Sequence, residues 1–385
     1  MTHLVLLEPS NPGPEWAPFA GARPIAELRV GAFRIWERWR RLFGADQVSV
    51  VSPATPRFAD VDSARLIAEP AVIGPAIVAR STFAPVDLDL RIGPGTRGFA
   101  AGGLTIAWVL AAGESWPGPR EIPEPIELKG LRLRGTTDLI TGCERLLEND
   151  CAAFRDEASI VPPGCAVIGD PGLLVVRAAS VEPHVVFDVR KGPIVLEPDA
   201  VVRAGSRLEG PLYLGPHSWI LGGAVRHSAI GPHCRVHGEV AHSVFLGYAN
   251  KSHEGFLGHS VVGQWVNLGA GTITSNLKNT YGEIRLELPT GRIETGRTNL
   301  GTIFGDHAKT AIGTLLGTGT VVGTGANVVA APVPRFVPPF AWAQHDRQTL
   351  SGFLSVAGRV LPRRGVDLTP EIAGSLTAIH ERLTR

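Results

Sequence analysis

The 385-residue chain is short of the features that mark several protein classes. It has four cysteines, Cys143, Cys151, Cys165 and Cys234, and no CxxC pair. That excludes the paired thiols of zinc ribbons and redox motifs and suits reduced structural thiols. Charge of one sign is also missing: 37 Lys and Arg against 36 Asp and Glu leave +1 at pH 7. A nucleic-acid binder carries a basic surplus, so that partner is not expected. No apolar run approaches the roughly 20 residues that span a bilayer, so no membrane is expected either. The start, MTHLVLLEPSNPG, has no basic region followed by an apolar stretch. The expectation is a cytoplasmic protein without a signal peptide. Helix-friendly composition is scarce: 46 Gly and 31 Pro make up a fifth of the chain. That load is below the level of disorder and suits turn-dense β structure.

What is present divides the chain in two. HLVLLEP reads as a buried strand over 4–7, followed by a Pro/Gly-rich loop over 9–21. Leu28, Ile35, Trp36, Trp39, Leu42 and Phe43 then recur at helical spacing, with Gly44 placed to end the helix. Gly31 weakens the first turns, so the helix is expected to start near Ala32. QVSVVSP is a second strand, and strand–helix–strand within about fifty residues implies a parallel sheet. AIVARS and LTIAWVLAAG add strands. TTDLITGCERLLENDCAAF reads as a connecting helix capped by Thr137 or Asp138, with Leu139, Cys143, Leu146 and Leu147 on one face.

Beyond about Ile160 the period changes. Leu196, Val202, Leu208, Leu214 and Ile220 fall six residues apart. Ile230 and Val236, then Val262 and Leu268, then Phe304, Thr310, Leu316, Val322 and Val328 repeat the spacing. Gly often follows the anchor, as at Gly215, Gly231, Gly263, Gly269, Gly305, Gly317 and Gly323. A period of six is the hexapeptide signature of a β-helix, three short strands to a coil, with inward anchors stacking about eighteen residues apart and Gly at the corners. Residues 243–258 and 280–299 break the period and are expected to leave the stack as loops, where binding groups concentrate. Seven of the twelve histidines lie between His217 and His259, yet no two are eighteen residues apart. Corner and surface roles follow, and no metal site is expected. Near the C-terminus Thr369 caps a helix with Pro370 in its first turn and a stripe of Ile372, Leu376, Ile379 and Leu383.

The stretch SHEGFLGHSVVGQWVNLGAGTITSN, 252–276, resembles the acyltransferase half of the bifunctional GlmU enzymes. There the motif runs H-x-x-Y-L-G-D and then N-I-G-A-G-T-I-T-x-N. The resemblance is tight over about 25 residues and looser over the β-helix. It implies His253 as catalytic base, Asn267 on the sugar, and Ala270, Gly271 and Asn276 against acyl-CoA (acetyl-CoA) as co-substrate. Three positions depart from it: Phe256 replaces the Tyr, His259 the Asp, and Leu277 the Tyr after the last Asn. A hydroxyl donor to the acceptor is thereby missing, and Lys251, Lys278, Arg285 and Arg292 are candidates to hold a phosphate instead. Glu254 is a candidate to orient His253, and His307 with Lys309 to complete a site from a neighbouring coil or subunit.

The first half resembles a shortened sugar nucleotidyltransferase through PFAGARPIAELRVGAFRI, which follows that family's P-L-T-x-x-x-P-K-x-L-x-P-V-G segment. Here EPSNPGPEW stands in place of the Gly-rich nucleotide loop and Ile25 in place of the Lys, with Arg23 and Arg29 flanking it as candidate phosphate ligands. ARSTFAP brings no carboxylate where the metal Asp is expected, and Asp87 and Asp89 alternate with leucines as on a half-exposed strand. Mg²⁺ is implied only with an active first half.

The reading is therefore an α/β N-terminal domain with a shortened nucleotidyltransferase-like parallel sheet (1–135), a connecting helix (136–159), an all-β left-handed parallel β-helix (160–340), and C-terminal helices (341–385). The resemblance implies a homotrimer and a transferase of nucleotide-sugar metabolism, acylating a sugar phosphate or nucleotide sugar. A sugar-1-phosphate nucleotidyltransferase trimerised by its β-helix, and a non-catalytic trimeric scaffold, remain as alternatives.

Overall fold

A computed structural model describes residues 2–52, 72–154, 160–329, 331–343 and 346–385, and the backbone of 65–67. The chain forms two compact units. The first is Met1–Trp16, Ala20–Leu28 and Phe33–Arg134; the second is Ala17–Phe19, Arg29–Ala32 and Gly135–Arg385.

The first unit is built on a seven-stranded sheet. Its strands are β1 (His3–Leu7), β2 (Gln47–Val51), β3 (Arg65–Ile67), β4 (Ala76–Arg80), β5 (Gly98–Ala101), β6 (Leu104–Leu110) and β7 (Ile126–Glu127). They lie in the order β7-β5-β6-β4-β1-β2-β3. The centre is parallel: β1 pairs with β2 on one side and β4 on the other, and β2 pairs with β3. β6 runs antiparallel to both β4 and β5, so the sheet is mixed on that side. Helix α1 (Ile35–Phe43) makes the first crossover. It begins three residues later than Ala32 because the Glu37 carboxylate accepts the Arg34 backbone N–H at 2.6 Å and caps the turn there. Gly44, at φ 58°, ends it in the left-handed conformation that a side chain resists. Trp39, fully buried, stacks on Phe43 at 5.6 Å and donates its indole N–H to the Phe83 carbonyl at 2.9 Å. The helix is thus locked through its apolar face rather than by its own short ladder.

The second unit is a left-handed parallel β-solenoid of about ten turns, flanked by helix α2 (Asp138–Ala152) and by helices α3 (Leu350–Val360) and α4 (Pro370–Thr384). Its three faces are separate parallel sheets: a first face from Ala166–Ile168 to Phe256–Gly258, a second from Leu174–Val176 to Phe336–Val337, and a third from Ser180–Val181 to Ala341–Trp342, ended by antiparallel Asp346–Arg347. The six-residue anchors are its axis. Leu196, Val202, Leu208, Leu214, Ile220, Ile230, Val236, Val262, Leu268, Phe304, Leu316, Val322 and Val328 share one buried cluster, and Thr310 is 6% exposed among them.

Coil length varies. Val201 pairs with Trp219, eighteen residues on; Trp219 pairs with Arg235 after sixteen, Arg235 with Asn250 after fifteen, and Asn250 with Asn267 after seventeen. Residues 243–258 therefore do not leave the stack as expected. They form three short strands inside it, and the lost period is a shortened corner. Residues 280–299 do leave it. They build an antiparallel hairpin, Ile284–Leu288 with Gly291–Arg297, while the coil resumes as Asn267 pairs with Lys309.

The corners also differ from expectation. The glycine after each anchor is not in the left-handed region. It is needed because the next coil is too close for a side chain: a Cβ at Gly231 would lie 2.4 Å from the Leu246 carbonyl oxygen. The left-handed position comes three residues after the second-face anchor, and is filled by Asp199, His217, His233, Tyr248, Trp265 and His307 at φ 55–59°. His227, His242 and His259, at φ 47–49°, fill the corner after the first face. His is among the few side chains enriched in this region.

Candidate functional site

The strand Asn250–Lys251 and the corner after it carry the first group of sequence-selected residues. Lys251 is 2% exposed. Its ammonium donates to the carbonyls of His237 at 2.7 Å and His253 at 2.9 Å. Burial lowers its pKa to about 8. The side chain is a clamp on the corner and does not reach out for a phosphate. His253 itself is exposed. Glu254 does not orient it: that carboxylate lies 3.3 Å from His237 Nδ1. The corner closes on the next coil, since Gly271 donates its N–H to the Glu254 carbonyl at 3.1 Å. Gly255, at φ 135°, makes this possible, because a Cβ there would sit 2.1 Å from the Thr272 oxygen.

Asn267 is exposed and accepts the Asn250 amide at 2.8 Å; Ser252 donates to the Asn250 oxygen at 2.5 Å. Ala270 and Gly271 are half-buried on the coil above, and the Ala270 carbonyl accepts from Gly313 at 2.7 Å. His253, Asn267, Ala270 and Gly271 thus belong to one edge of two stacked coils. Asn276 does not join them. Its amide bonds His259 Nδ1 at 2.8 Å, at the next corner. Lys278 donates to the Glu283 carbonyl, Arg285 pairs with Glu294 at 2.8 Å, and Arg292 is exposed on the hairpin. His307 is buried under Trp265 and Phe353, and Lys309 donates to its carbonyl at 2.9 Å.

Around Asn276 the structure gathers residues that sequence spacing missed. His227, His242 and His259 stack in a column, with ring centroids 4.9 and 4.6 Å apart. The expectation that no two histidines would align rested on an eighteen-residue coil; here coils of fifteen and seventeen residues put them in register. Glu144, from α2, has a carboxylate oxygen 4.0 Å from His259 Nε2 and 2.6 Å from an Arg297 guanidinium nitrogen. Arg297 also donates to Thr141 at 2.8 Å. Burial pushes the pKa of His242 and of His259 down to about 4, so both imidazoles are neutral at pH 7. Glu144, His242 and His259 each offer a ligand atom within 4.8 Å of the others, contrary to the expected absence of a metal-type cluster.

The first unit has its own cavity, of about 680 Å³. It opens where β1 and β4 end, lined by Glu8, Ser10, Asn11, Arg80, Thr82 and Trp116 among others. β1 here has the chain's earlier crossover on one side and β4 on the other, the switch point at which open α/β sheets bind ligands. The Glu8 carboxylate accepts the backbone N–H groups of Ile25 at 2.9 Å and Ala26 at 2.7 Å. Although part of the residue reaches the surface, its carboxyl is enclosed, and desolvation outweighs those donors to raise its pKa to about 7. Arg23 is buried in this unit, whereas Arg29 belongs to the second, bonded to the Ala32 carbonyl and lying over Tyr213.

Residues 5–59 match a family model described as sugar nucleotidyl transferase. A bifunctional sugar-1-phosphate nucleotidylyltransferase/acetyltransferase of Sulfurisphaera tokodaii is 31% identical over 155 residues, 37% of this chain and 37% of that protein. The bifunctional protein GlmU of Methanocaldococcus jannaschii is 33% identical over 86 residues, 22% of this chain and 21% of that one. GlmU of Synechococcus elongatus is 30% identical over 156 residues, 40% of this chain and 28% of its own. The chain thus spans well under half the length of the relatives it matches.

Proposed function

We propose that this GlmU-like chain is a transferase that moves an acyl group from acyl-CoA to a sugar phosphate or nucleotide sugar. The reaction takes place at the corner presenting His253, with the first unit a fused sugar nucleotidyltransferase-like module. One observation carries the reading. Two stacked coils bring His253, Asn267, Ala270 and Gly271 to one edge, and a buried ammonium fixes the backbone that carries His253. A base on a rigid corner beside small residues is what attack on a thioester needs: close access for a thin acyl carrier and a proton acceptor that does not wander. His253 takes the proton of the attacking hydroxyl or amine, the oxygen or nitrogen bonds the acyl carbon, and CoA leaves as the thiol. Asn267 positions the sugar. The acyl-CoA set narrows to Ala270 and Gly271, since Asn276 is engaged at the other corner. A homotrimer in the cytoplasm, with a neighbouring copy closing the open edge, completes the proposal.

The test is acceptor-dependent thiol release from acetyl-CoA across a panel of sugar 1-phosphates and nucleotide sugars. His253→Ala is expected to lower kcat about 10²–10⁴-fold while calorimetry shows acetyl-CoA binding intact. A wild-type protein that fails to bind acetyl-CoA, or a His253→Ala variant with full turnover, overturns the reading.

A second reading rests on the cavity at the ends of β1 and β4 and on the family match of residues 5–59. The residues there do not fit Mg²⁺. Glu8 is the one carboxylate among the described lining residues, and it is spent on two backbone N–H groups. Nucleotide binding without nucleotidyl transfer is the form of this reading that the cavity supports.

A further inference from the structure

We infer that Glu144, His242 and His259 form a binding site for one divalent d-block cation of the zinc class, which pins helix α2 to the solenoid. The three donors come from two separate parts of the fold. His242 and His259 occupy the left-handed corner of successive coils, so the solenoid repeat itself puts two imidazoles one above the other, 4.6 Å apart and 15° from parallel. Glu144 comes from α2, whose buried residues Leu139, Cys143, Leu146 and Leu147 fix it against neighbouring structure. The ligand atoms lie within 4.8 Å of one another. Bonds of about 2.0–2.2 Å to a tetrahedral cation place the donors roughly 3.3–3.6 Å apart, so the side chains close inward and the two imidazoles rotate toward each other on binding.

Two further observations point to a ligand here. Among the described residues, His242 Nδ1 is buried with no hydrogen-bond partner. A buried ring nitrogen left unpaired is costly, and a cation held by His242 through that nitrogen relieves the cost. Asn276 holds His259 through Nδ1 at 2.8 Å, which leaves Nε2 for the cation, and such outer hydrogen bonds are how ligating histidines are fixed in orientation. Two imidazole nitrogens and one carboxylate oxygen select Zn²⁺, Co²⁺ or Ni²⁺ over Mg²⁺ or Ca²⁺. Arg297 shares the Glu144 carboxylate, and without metal its guanidinium supplies the positive charge there. Metal binding therefore competes with that ion pair.

The experiment uses the full chain stripped by chelator and titrated with Zn²⁺ by calorimetry, with Co²⁺ absorption as a report on geometry. The expected result is one site per chain, visible d–d bands of a four-coordinate Co²⁺, and a higher melting temperature with Zn²⁺ but not with Mg²⁺. Glu144→Gln, which keeps the shape and a hydrogen bond to Arg297, weakens Zn²⁺ at least tenfold, as do His242→Ala and His259→Ala. Arg297→Ala binds more tightly, and His217→Ala, at an exposed corner elsewhere, is unchanged. Absence of a one-to-one site overturns the inference. So does a site that survives Glu144→Gln and both histidine variants with unaltered affinity.

Discussion

Single residues decide how the coils close. The anchors were legible because a buried axis enforces its period on every turn, and one apolar residue every six has no other common cause. The corner histidines were not, because their alignment depends on coils shortened to fifteen and seventeen residues, a property of the corners and not of the anchors. Lysines at the same scale were read by type alone. Lys251 suggested a phosphate ligand and Lys309 a contribution to a neighbouring site, yet both are drawn inward onto backbone carbonyls. That burial has a measurable sign. Lys309 is held at about 8, below the roughly 10.4 of an unfolded lysine. Between those pH values the unfolded chain binds the extra proton, so the group's contribution to stability rises with pH across this window and is flat below it. Urea unfolding at pH 8, 9 and 10 is expected to show wild type gaining on Lys309→Met as the pH increases. Parallel curves for the two proteins would remove the burial argument.

At the scale of elements, the strand–helix–strand start and the connecting helix followed from periodicity, and both stand where expected within a few residues. The interruptions were harder to sort. Residues 280–299 leave the coil because Ile284, Leu286 and Leu288 alternate and can bury one face of a hairpin. Residues 243–258 stay because Phe245, Ala249 and Leu257 still join the solenoid core at irregular spacing. The cavity between β1 and β4 was visible only as a missing Gly-rich loop; what replaced it, a carboxylate seated on the backbone of Ile25 and Ala26, needs the fold to be seen. Glu8 turns that cavity into a pH-sensitive one. With its carboxyl raised to about 7, it is neutral below that pH and anionic above it. A nucleoside triphosphate, itself anionic, is expected to bind more tightly at pH 6 than at pH 8, followed by the fluorescence of Trp116 in the cavity wall. Glu8→Gln should abolish the difference. Equal pH dependence in both proteins would mean that the carboxyl does not face the ligand.

For the whole molecule, the division near residue 135 is only part of the organisation. Two short early segments, Ala17–Phe19 and Arg29–Ala32, fold with the solenoid-containing unit. Nothing in their sequence marks this, because the partners that hold them lie more than a hundred residues away. Ala32 donates its backbone N–H at 2.8 Å to Asp150, a fully buried carboxylate of α2. Thr136 donates to the Ala17 carbonyl at 2.9 Å. A fragment beginning at residue 135 keeps every coil but loses these strands of support, and Asp150 loses a charge-assisted donor. Removing a buried partner of this kind costs about 1–3 kcal/mol, more when the group is charged. The fragment is therefore expected to melt below the corresponding transition of the full chain. Asp150→Asn separates this cause from simple loss of covering surface. It weakens the charge-assisted bond from the Ala32 N–H, so it is expected to lower the melting temperature of the full chain and to leave that of the fragment, which lacks Ala32, nearly unchanged. A fragment that melts with the full chain, or an Asp150→Asn effect of the same size in both, would show that the early segments are passengers on the solenoid and not part of what holds α2 against it.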